Sequence, residues 1–503
     1  MLATALVTAA TAATLSTAIV TTVTAATLST AIVTTDQAVL RAAPRESAPS
    51  QAQLWQGELL EIRGERLDYL QVWDHSRERG GYVKAAQVKR AALTPQEAPE
   101  LLAVLRFLRE APGAESLGIA VAAAYLQAAP AETLRGPAGS EALDALGSFA
   151  DRLAQRASSG AGKQATLSAH LDVAARYGVK FASYEQEGKV RLCYDGDAFR
   201  RVLALAAAQP LQQARAALAL TQPECLDPNL RPQQRHQLNA WRAEVLERVD
   251  SAGLPGYVKN RIALRRASVW STLAYERVRF GESGQAAAER AQAELAGVQR
   301  GELPEEDLPA LNDAAMRVNA SRWAAVPMTM PMPTPTPTPS EPVTRPTVLT
   351  QPGQPGETCV LLVDAKRDAA HPLARRCTHA LVWPQSATLN REGNALALAV
   401  QPLEGWRELW LFRRQGQAWT LDVLPPASLQ PELGYAEFAG WVPGGRQVLV
   451  AREARGEGRY RRSFEVVDLE TLITQRQSPE PDALGPFQRW SDPGWKRGTV
   501  SLR

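Results

Sequence analysis

The four cysteines and five histidines are the side chains of this sequence with the widest choice of chemistry. The cysteines fall into two pairs, Cys193 with Cys225 and Cys359 with Cys377. In an oxidising compartment this arrangement favours two local disulfides, although four cysteines allow three connectivities. In a reducing compartment the same residues would be buried thiols.

Zinc is the other chemistry that these residues offer. Cys359, His371, Cys377 and His379 could supply four ligands. A single residue separates the last cysteine from the last histidine, and this spacing matches no zinc finger. We therefore predict a disulfide with two surface histidines, and neither a metal nor another cofactor.

Motifs that carry catalysis are missing from the sequence. There is no HExxH zinc motif and no GxSxG nucleophile motif. The stretch from Ser159 to Gln164 resembles a phosphate-binding loop, but Ala157 stands where a glycine is needed and Gln164 where a serine or threonine would hold magnesium. We predict no catalytic residues and no nucleotide site.

Aromatic residues between positions 36 and 92 suggest a binding surface instead. Four of them could line a groove: Trp55, Tyr69, Trp73 and Tyr82. Because side chains alternate between the two faces of a strand, only part of this set can meet a ligand. We expect Tyr69 and Tyr82 to be partly exposed, and Val72 and Val83 to be buried.

Short strands with polar turns must position these aromatic residues. DQAVLRAAP, QLWQGELLEIRGE, LDYLQVWD and GGYVKAAQV each carry a short apolar run bounded by Gly, Pro or charged residues. In the order of Arg-Ala-Ala-Pro, Leu54-Trp55-Gln56-Gly57 and Gly81-Tyr82-Val83, residues 36–92 resemble the bacterial SH3-like domain family. The resemblance implies a small β-barrel that recognises peptidoglycan stem peptides, although the family often has Trp where Tyr69 and Tyr82 stand.

Residues 93–325 are predicted to be an all-α middle domain of helical hairpins. Thr94-Pro95-Gln96-Glu97 has the pattern of a capping box, and the amphipathic LLAVLRFLREA follows it. Further helices are predicted at SLGIAVAAAYLQAA, SEALDALGSFADRLAQRA, QQRHQLNAWRAEVLERV and NRIALRRASVWSTLAYERVR.

The remaining sequence is first rich in proline, over residues 326–355, and then rich in tryptophan, over residues 356–503. Residues 326–355 contain PMTMPMPTPTPTPSEP and are predicted to form a polyproline-II linker, because proline lacks the amide donor that a helix needs. Residues 356–503 are predicted to be a Trp-rich, mainly-β domain. Turns at Gly393 and Gly445 precede the apolar runs ALALAV and QVLVAR, which weakly resemble propeller-type repeats; a sandwich is an equal alternative.

Residues 1–35 carry no charged side chain and are predicted to be a signal peptide or apolar leader. Ser29-Thr30-Ala31 offers small residues for cleavage, so that the mature chain would begin near Ile32. The segment TAATLSTAIVTT occurs at 11–22 and again at 24–35, which indicates a tandem duplication. A low-complexity tail or an uncleaved membrane anchor is the alternative, and a membrane contact is expected only through this segment.

Composition and net charge indicate the class of protein and the kind of partner that it binds. The 503 residues are 45% hydrophobic and 22% charged, as in globular multidomain proteins. The net charge is +3, and the basic residues are interleaved with acidic ones, which argues against nucleic acid as a partner.

These observations together predict a multidomain α+β protein exported to the periplasm or another extracytoplasmic compartment. We expect a non-enzymatic scaffold whose SH3-like domain contacts a cell-wall peptide or an envelope protein, while the linker lets the β domain act at a distance. One alternative is a cell-wall hydrolase with an unrecognised catalytic site, which a cleft with converging titratable side chains would favour. Another is an internal contact between the SH3-like domain and Pro339-Ser340-Glu341-Pro342.

Overall fold

The computed structural model describes residues 29–498, except 187, 328–344, 365, 367 and 429–431. In these residues the protein is mixed α+β, with a seven-stranded sheet, a helical middle and a β-rich C-terminal region, as the sequence predicts. The linker methionines and the Pro339–Pro342 motif lie outside the described residues.

Two compact units divide the chain differently from the predicted domains. The first unit contains the described residues up to 129 together with 163–177, and the second contains the described residues of 130–162 and 178–498. The predicted middle domain, 93–325, is therefore shared between the two units.

The first unit contains an antiparallel sheet in the order β3-β2-β6-β5-β4-β1-β7. Its strands are β1 (Thr30–Val33), β2 (Ala38–Arg41), β3 (Ser50–Leu54), β4 (Leu59–Arg66), β5 (Tyr69–Asp74), β6 (Arg79–Lys84) and β7 (Val88–Ala91). Alternate apolar residues of these strands, among them Leu40, Leu70 and Val83, face one another in a single core.

Strand β1 begins inside the predicted leader. Ile32 pairs with Leu59 of β4 and with Lys89 of β7, and all four residues of β1 are buried. Cleavage after Ala31 would cut this strand in two, so the predicted cleavage site and the boundary at residue 35 are wrong. A run of small and β-branched residues suits a leader and a buried strand equally, which is why composition did not separate them. Residues 1–28 lie outside the described part.

Each of the five predicted helical stretches forms a helix. The eleven helices described between residues 93 and 325 are α1 (Ala98–Arg109), α2 (Glu115–Ala128), α3 (Ala131–Arg135), α4 (Pro137–Ser159), α5 (Gln164–Arg176), α6 (Asp197–Ala204), α7 (Pro210–Leu220), α8 (Pro232–Glu247), α9 (Gly256–Arg279), α10 (Gln285–Ala296) and α11 (Leu308–Ser321). The five predicted stretches are α1, α2, α4, α8 and α9. None of the described helices is long and apolar enough to cross a membrane.

The predicted capping box does not form at the start of α1. The Glu97 carboxylate accepts hydrogen bonds from the backbone N–H groups of Ala92 and Leu93, at 2.6 and 3.1 Å. It therefore fixes the chain that enters the helix, and α1 starts at Ala98 without a side-chain cap.

A β-hairpin interrupts the region that was predicted to be all-α. Strands β8 (Phe181–Gln186) and β9 (Lys189–Tyr194) pair antiparallel, with Gly188 at φ 71° in the turn. Alternation of apolar and polar residues in FASYEQ and KVRLCY has the strand period of two, which the helical interpretation of the surrounding sequence overlooked.

Helix α5 packs against the sheet of the first unit. The buried His170 ring lies 2.8 Å from the Asp36 carboxylate through Nε2, and the Tyr177 hydroxyl donates to the Gly57 carbonyl at 2.7 Å. Gly57 has a φ of 86°, and a Cβ there would lie 2.6 Å from the Ser116 carbonyl oxygen, so glycine is required at this contact.

Two sheets form the C-terminal region. The smaller comprises β10 (Thr347–Pro352), β11 (Thr358–Val363) and β12 (Ala374–Thr378). The larger comprises β13 (Leu381–Leu389), β14 (Ala395–Leu403), β15 (Trp406–Gln415), β16 (Ala418–Leu424), β17 (Leu433–Val442), β18 (Gln447–Gly456), β19 (Arg459–Asp468) and β20 (Thr474–Ser478), followed by α12 (Gly485–Trp490) and α13 (Pro493–Gly498). Because β10 starts at Thr347, the predicted linker boundary at residue 355 is wrong.

Two four-stranded meanders, β13–β16 and β17–β20, build the larger sheet. Each is antiparallel, and a short parallel pairing of Trp406 with Gly434 and Arg407 with Tyr435 joins them. The predicted turns at Gly393 and Gly445 are confirmed, each with positive φ between the first and second strands of its meander.

Helix α11 packs directly against this sheet. The Arg317 guanidinium lies 2.6 Å from the Glu404 carboxylate, and the Tyr460 hydroxyl donates to the Asp313 carboxylate at 2.8 Å. The helices and the sheet thus share one compact unit, so the expectation that the linker holds the β domain at a distance is wrong.

Candidate functional site

The predicted aromatic residues lie mostly on one face of the first sheet. Leu70, Val72 and Val83 point into the core, as expected for the two valines. The residues between them therefore point to the opposite face, where Trp73 pairs with Gly80, Gln71 with Tyr82 and Tyr69 with Lys84. We call the set formed by Tyr69, Gln71, Trp73, Tyr82 and Lys84 the aromatic face.

Trp73 is the best-defined member of the aromatic face. The Arg63 guanidinium lies 4.5 Å from the centroid of its ring, an arrangement that stabilises the cation over the indole. Glu61, which pairs with Trp73 from β4, accepts from Arg63 and lies 2.6 Å from the His75 ring nitrogen. Hydrogen bonds from Arg63 and His75 hold the pKa of the Glu61 carboxyl below its usual value. A charged cluster thus fixes one edge of the indole.

Exposure differs among the four aromatic candidates. Tyr82, Trp73 and Trp55 are half-buried, as expected for Tyr82. Tyr69 is only 3% exposed, so the expectation that it is partly exposed is wrong. Strand pairing does not explain this burial, because Gln71 is also paired on both sides and is exposed. Trp55 lies in the turn between β3 and β4, so strand pairing does not fix it beside Trp73.

An ion cluster behind the aromatic face holds the β5–β6 turn. Arg77 binds the buried Glu58 at 2.8 Å and the buried Asp74 at 2.6 Å. Hydrogen bonds to Glu58 raise the pKa of Arg77 above its usual value, so the guanidinium stays charged. The Asp74 carboxylate also accepts the backbone N–H of Ser76 at 2.9 Å. Strands β5 and β6 are therefore held in a fixed relation.

Both predicted cysteine pairs are confirmed as disulfides. Cys193 of β9 is bonded to Cys225, and Cys359 of β11 is bonded to Cys377 on the neighbouring strand β12. The sulfur atoms of the second pair are thus not thiolate ligands, even though the Glu357 carboxylate lies close to them.

A cavity of about 340 Å³ lies in the second unit, between the segment that follows α11 and the larger sheet. Trp323, Leu409 and Phe438 contribute apolar walls, and Ser386 and Thr388 contribute hydroxyl groups. Both hydroxyls are committed to the backbone, because Ser386 donates to the Trp383 carbonyl at 2.6 Å and Thr388 donates to the Ser386 carbonyl at 3.1 Å.

Two arginines and a glutamate converge at the buried end of the cavity. Arg407 of β15 is fully buried, and its Nη1 donates to the Asn319 carbonyl near the end of α11 at 2.7 Å. The Glu437 carboxylate of β17 is bound by Arg322 and lies 3.5 Å from Nη2 of Arg407. Burial lowers the pKa of Arg407 to about 10, which leaves the side chain positively charged at neutral pH.

Sequence reasoning missed this charged cluster, although a signal for it exists. Arg407 and Glu437 interrupt the apolar strands WRELWLF and LGYAEFAGWV. A charged residue at an inward position of a buried strand needs a partner, because an isolated buried charge is strongly destabilising. Such interruptions identify candidates, but not which of them meet.

Comparison with protein-family models, with curated proteins and with solved structures found no match for this chain.

Proposed function

We propose that this chain is an exported, non-enzymatic binding protein of the bacterial envelope, and that its first sheet is an SH3-like barrel that binds cell-wall peptide. The observation that carries the proposal is the aromatic face, where Trp73 and Tyr82 are half-buried on paired strands and Arg63 lies over the indole.

The chemistry of this face suits an extended peptide. The indole and phenol rings offer flat apolar surfaces for short aliphatic side chains, and they lose little conformational freedom on binding. Arg63 and Lys84 lie at its edges, paired with Glu61 at 3.2 Å and with Glu46 at 3.1 Å, and a peptide carboxylate would compete with these glutamates for the two cations. Gln71, which is exposed and pairs with Tyr82 two residues before Trp73, can donate to and accept from a peptide backbone.

The two disulfides support an extracytoplasmic, periplasmic location for the protein. Disulfides persist in oxidising compartments and are rare where thioredoxin and glutathione keep thiols reduced. All four cysteines are paired. A chain that folds in the periplasm would acquire both bonds during folding.

A hydrolase remains the weaker candidate function. The cavity in the second unit brings titratable groups together, but its serine and threonine hydroxyls donate to backbone carbonyls, and its carboxylate Glu437 is held by arginines. Activation of a nucleophile requires a base within hydrogen-bond reach, and neither hydroxyl has one. The geometry of the cavity suits the binding of an anion better than the hydrolysis of a bond.

Calorimetric titration of the full chain with soluble peptidoglycan stem peptides tests the proposal. We expect saturable binding by the wild-type protein and at least about tenfold weaker binding by Trp73→Ala, as for an aromatic residue at the centre of an interface. Trp490→Ala is the matched control, because Trp490 is an exposed tryptophan of the second unit.

Two results would contradict the proposal. Wild-type protein that shows no heat with stem peptides would exclude cell-wall peptide as the ligand. Equal affinities of the wild-type, Trp73→Ala and Trp490→Ala proteins for stem peptides would exclude the aromatic face as the binding site. Recovery of an envelope protein on the immobilised wild-type chain, lost in Trp73→Ala, would replace the peptide by a protein partner.

A further inference from the structure

The arginine cavity of the second unit carries an inference that is independent of the proposed function. Its charged lining consists of two arginines and two carboxylates. Arg322 and Arg407 are at least nine-tenths buried, and Glu437 is the buried carboxylate that faces them. Asp492 also lines the cavity but is half-buried, and its Oδ1 accepts the backbone N–H of Gly494 at 2.7 Å. The cavity is therefore lined by two arginines and two carboxylates, and among the described residues Glu437 is the carboxylate that pairs with the arginines.

The hydrogen-bond donors of the two arginines are only partly satisfied by the described residues. The Nη1 atom of Arg407 donates to the Asn319 carbonyl, but Nε and Nη2 have no hydrogen-bond partner among the described residues. Nε of Arg322 is likewise buried without one. Arg407 Nη2 lies 3.5 Å from the Glu437 carboxylate in an ion pair, so the Nε atoms of Arg407 and Arg322 are the buried donors that most need an acceptor.

We propose that this cavity binds a small organic carboxylate, whose oxygens accept hydrogen bonds from Arg407 and Arg322 and whose apolar body lies against Trp323, Leu409 and Phe438. A carboxylate supplies acceptors for the guanidinium donors that lack them and is attracted by the positive charge of both arginines. Arginine is also the residue best suited to a planar oxyanion, because its donors form a fork.

The walls and the volume select the class of ligand. A cavity of about 340 Å³ is at the lower end of the range for small-molecule sites. Inorganic phosphate is polar on every side and would make no favourable contact with the apolar walls. A ligand with one charged end and a compact apolar or aromatic end satisfies both halves of the cavity.

Phenylacetate is the probe for the first test, with the full chain in a buffer free of other carboxylates. We expect it to raise the melting temperature in a saturable manner and to bind by calorimetry. Phenethylamine has the same ring with the opposite charge, and benzyl alcohol has a similar ring without charge, so neither should bind. Inorganic phosphate should bind at least about tenfold more weakly, because it leaves the apolar walls uncovered.

Variants locate the site. Arg407→Gln should weaken phenylacetate binding at least about tenfold. If this variant does not fold, Thr388→Phe provides the test and should also weaken phenylacetate binding. The phenylalanine ring fills the cavity from a half-buried position and leaves the charges unchanged. Arg489→Gln, in the exposed part of α12, is the control and should bind as the wild type does.

Three results would overturn the proposal. The first is a wild-type melting temperature and heat signal that phenylacetate does not change, which would leave the arginines and Glu437 as a structural network that joins α11 to the sheet. The second is undiminished binding by folded Thr388→Phe, which would put the ligand elsewhere. The third is phosphate binding as tight as phenylacetate binding, which would exclude a contribution of the apolar walls to ligand affinity.

Discussion

The indole ring of Trp73 lies against Gly80 on the neighbouring strand, where a Cβ would stand only 3.2 Å from the ring atom Cε3. The absence of a side chain at position 80 therefore sets the position of the ring on the aromatic face.

Substitution of Gly80 by valine should displace the indole. We expect stem-peptide binding to weaken at least about tenfold, with a smaller loss of thermal stability, because a β-branched side chain is favourable in a strand but occupies the place of the ring. Calorimetry and thermal unfolding measure the two effects. Gly253→Ala is the control, since a Cβ in that exposed turn meets nothing within 4 Å. Unchanged peptide affinity in Gly80→Val would mean that the ring position is irrelevant to binding.

Removal of either disulfide should lower the stability of the second unit, by an amount that grows with the logarithm of the loop length. The Cys193–Cys225 bond closes 32 residues and the Cys359–Cys377 bond closes 18, which corresponds to about 4 and about 3 kcal/mol in the loop-entropy estimate. Denaturant unfolding of the two double serine variants measures these losses. Native protein should show no reactive thiol, and thiols that titrate in the native wild-type chain would refute the pairing.

Asp151 should make the stability of the second unit depend on pH. Burial raises the pKa of this carboxyl from 3.8 to about 6, although Gln222 donates to it at 3.1 Å. The folded state then binds the proton more tightly than the unfolded state, so this residue's contribution to stability is greatest below about pH 4 and is lost as the pH rises through 6.

Asp151→Asn should therefore be more stable than the wild type at pH 7, by about 1 to 3 kcal/mol, and the difference should vanish near pH 4. The Gln222 amide can turn to suit the new side chain. Denaturant unfolding at several pH values gives the comparison, with the exposed Asp482→Asn as the control. A difference that does not change between pH 4 and 7 would rule out the raised pKa.

Ile32 should be essential to the first unit, because it is 1% exposed and pairs with two strands. We expect Ile32→Ala to cost about 2 to 5 kcal/mol in the free energy of unfolding. The same change at Ile19, the equivalent position of the first copy of the repeat, is the matched control. Equal stability of the Ile32→Ala and wild-type proteins would contradict the assignment of β1.

How much the sequence predicts depends on how local the determining interactions are. Helices such as α4 and α9 were predicted because their apolar period lies within one segment. The cysteine pairs were also found, since each lies within one region. The burial of Tyr69 was not predicted, because strand alternation tells which face a side chain is on and not how far tertiary packing covers it.

The arginine cavity could not be predicted for the same reason. Arg407 and Glu437 come from different meanders, and Arg322 follows a helix, so only the parallel pairing of β15 with β17 and the packing of α11 bring them together. The predicted leader boundary at residue 35 is wrong for a different reason. Thr30–Val33 is uncharged and mostly apolar, a composition that suits both a leader and a buried strand.

Co-sedimentation of the protein with intact peptidoglycan sacculi, from cells fractionated without reducing agent, tests the proposed envelope function most directly. We expect the wild-type chain, without free thiols, to sediment with the sacculi. The double variant Trp73→Ala, Tyr82→Ala should remain in the supernatant, and Trp490→Ala should behave as the wild type. A wild-type chain found in the cytoplasmic fraction with four free thiols, or one that fails to sediment with sacculi, would contradict the proposed envelope function.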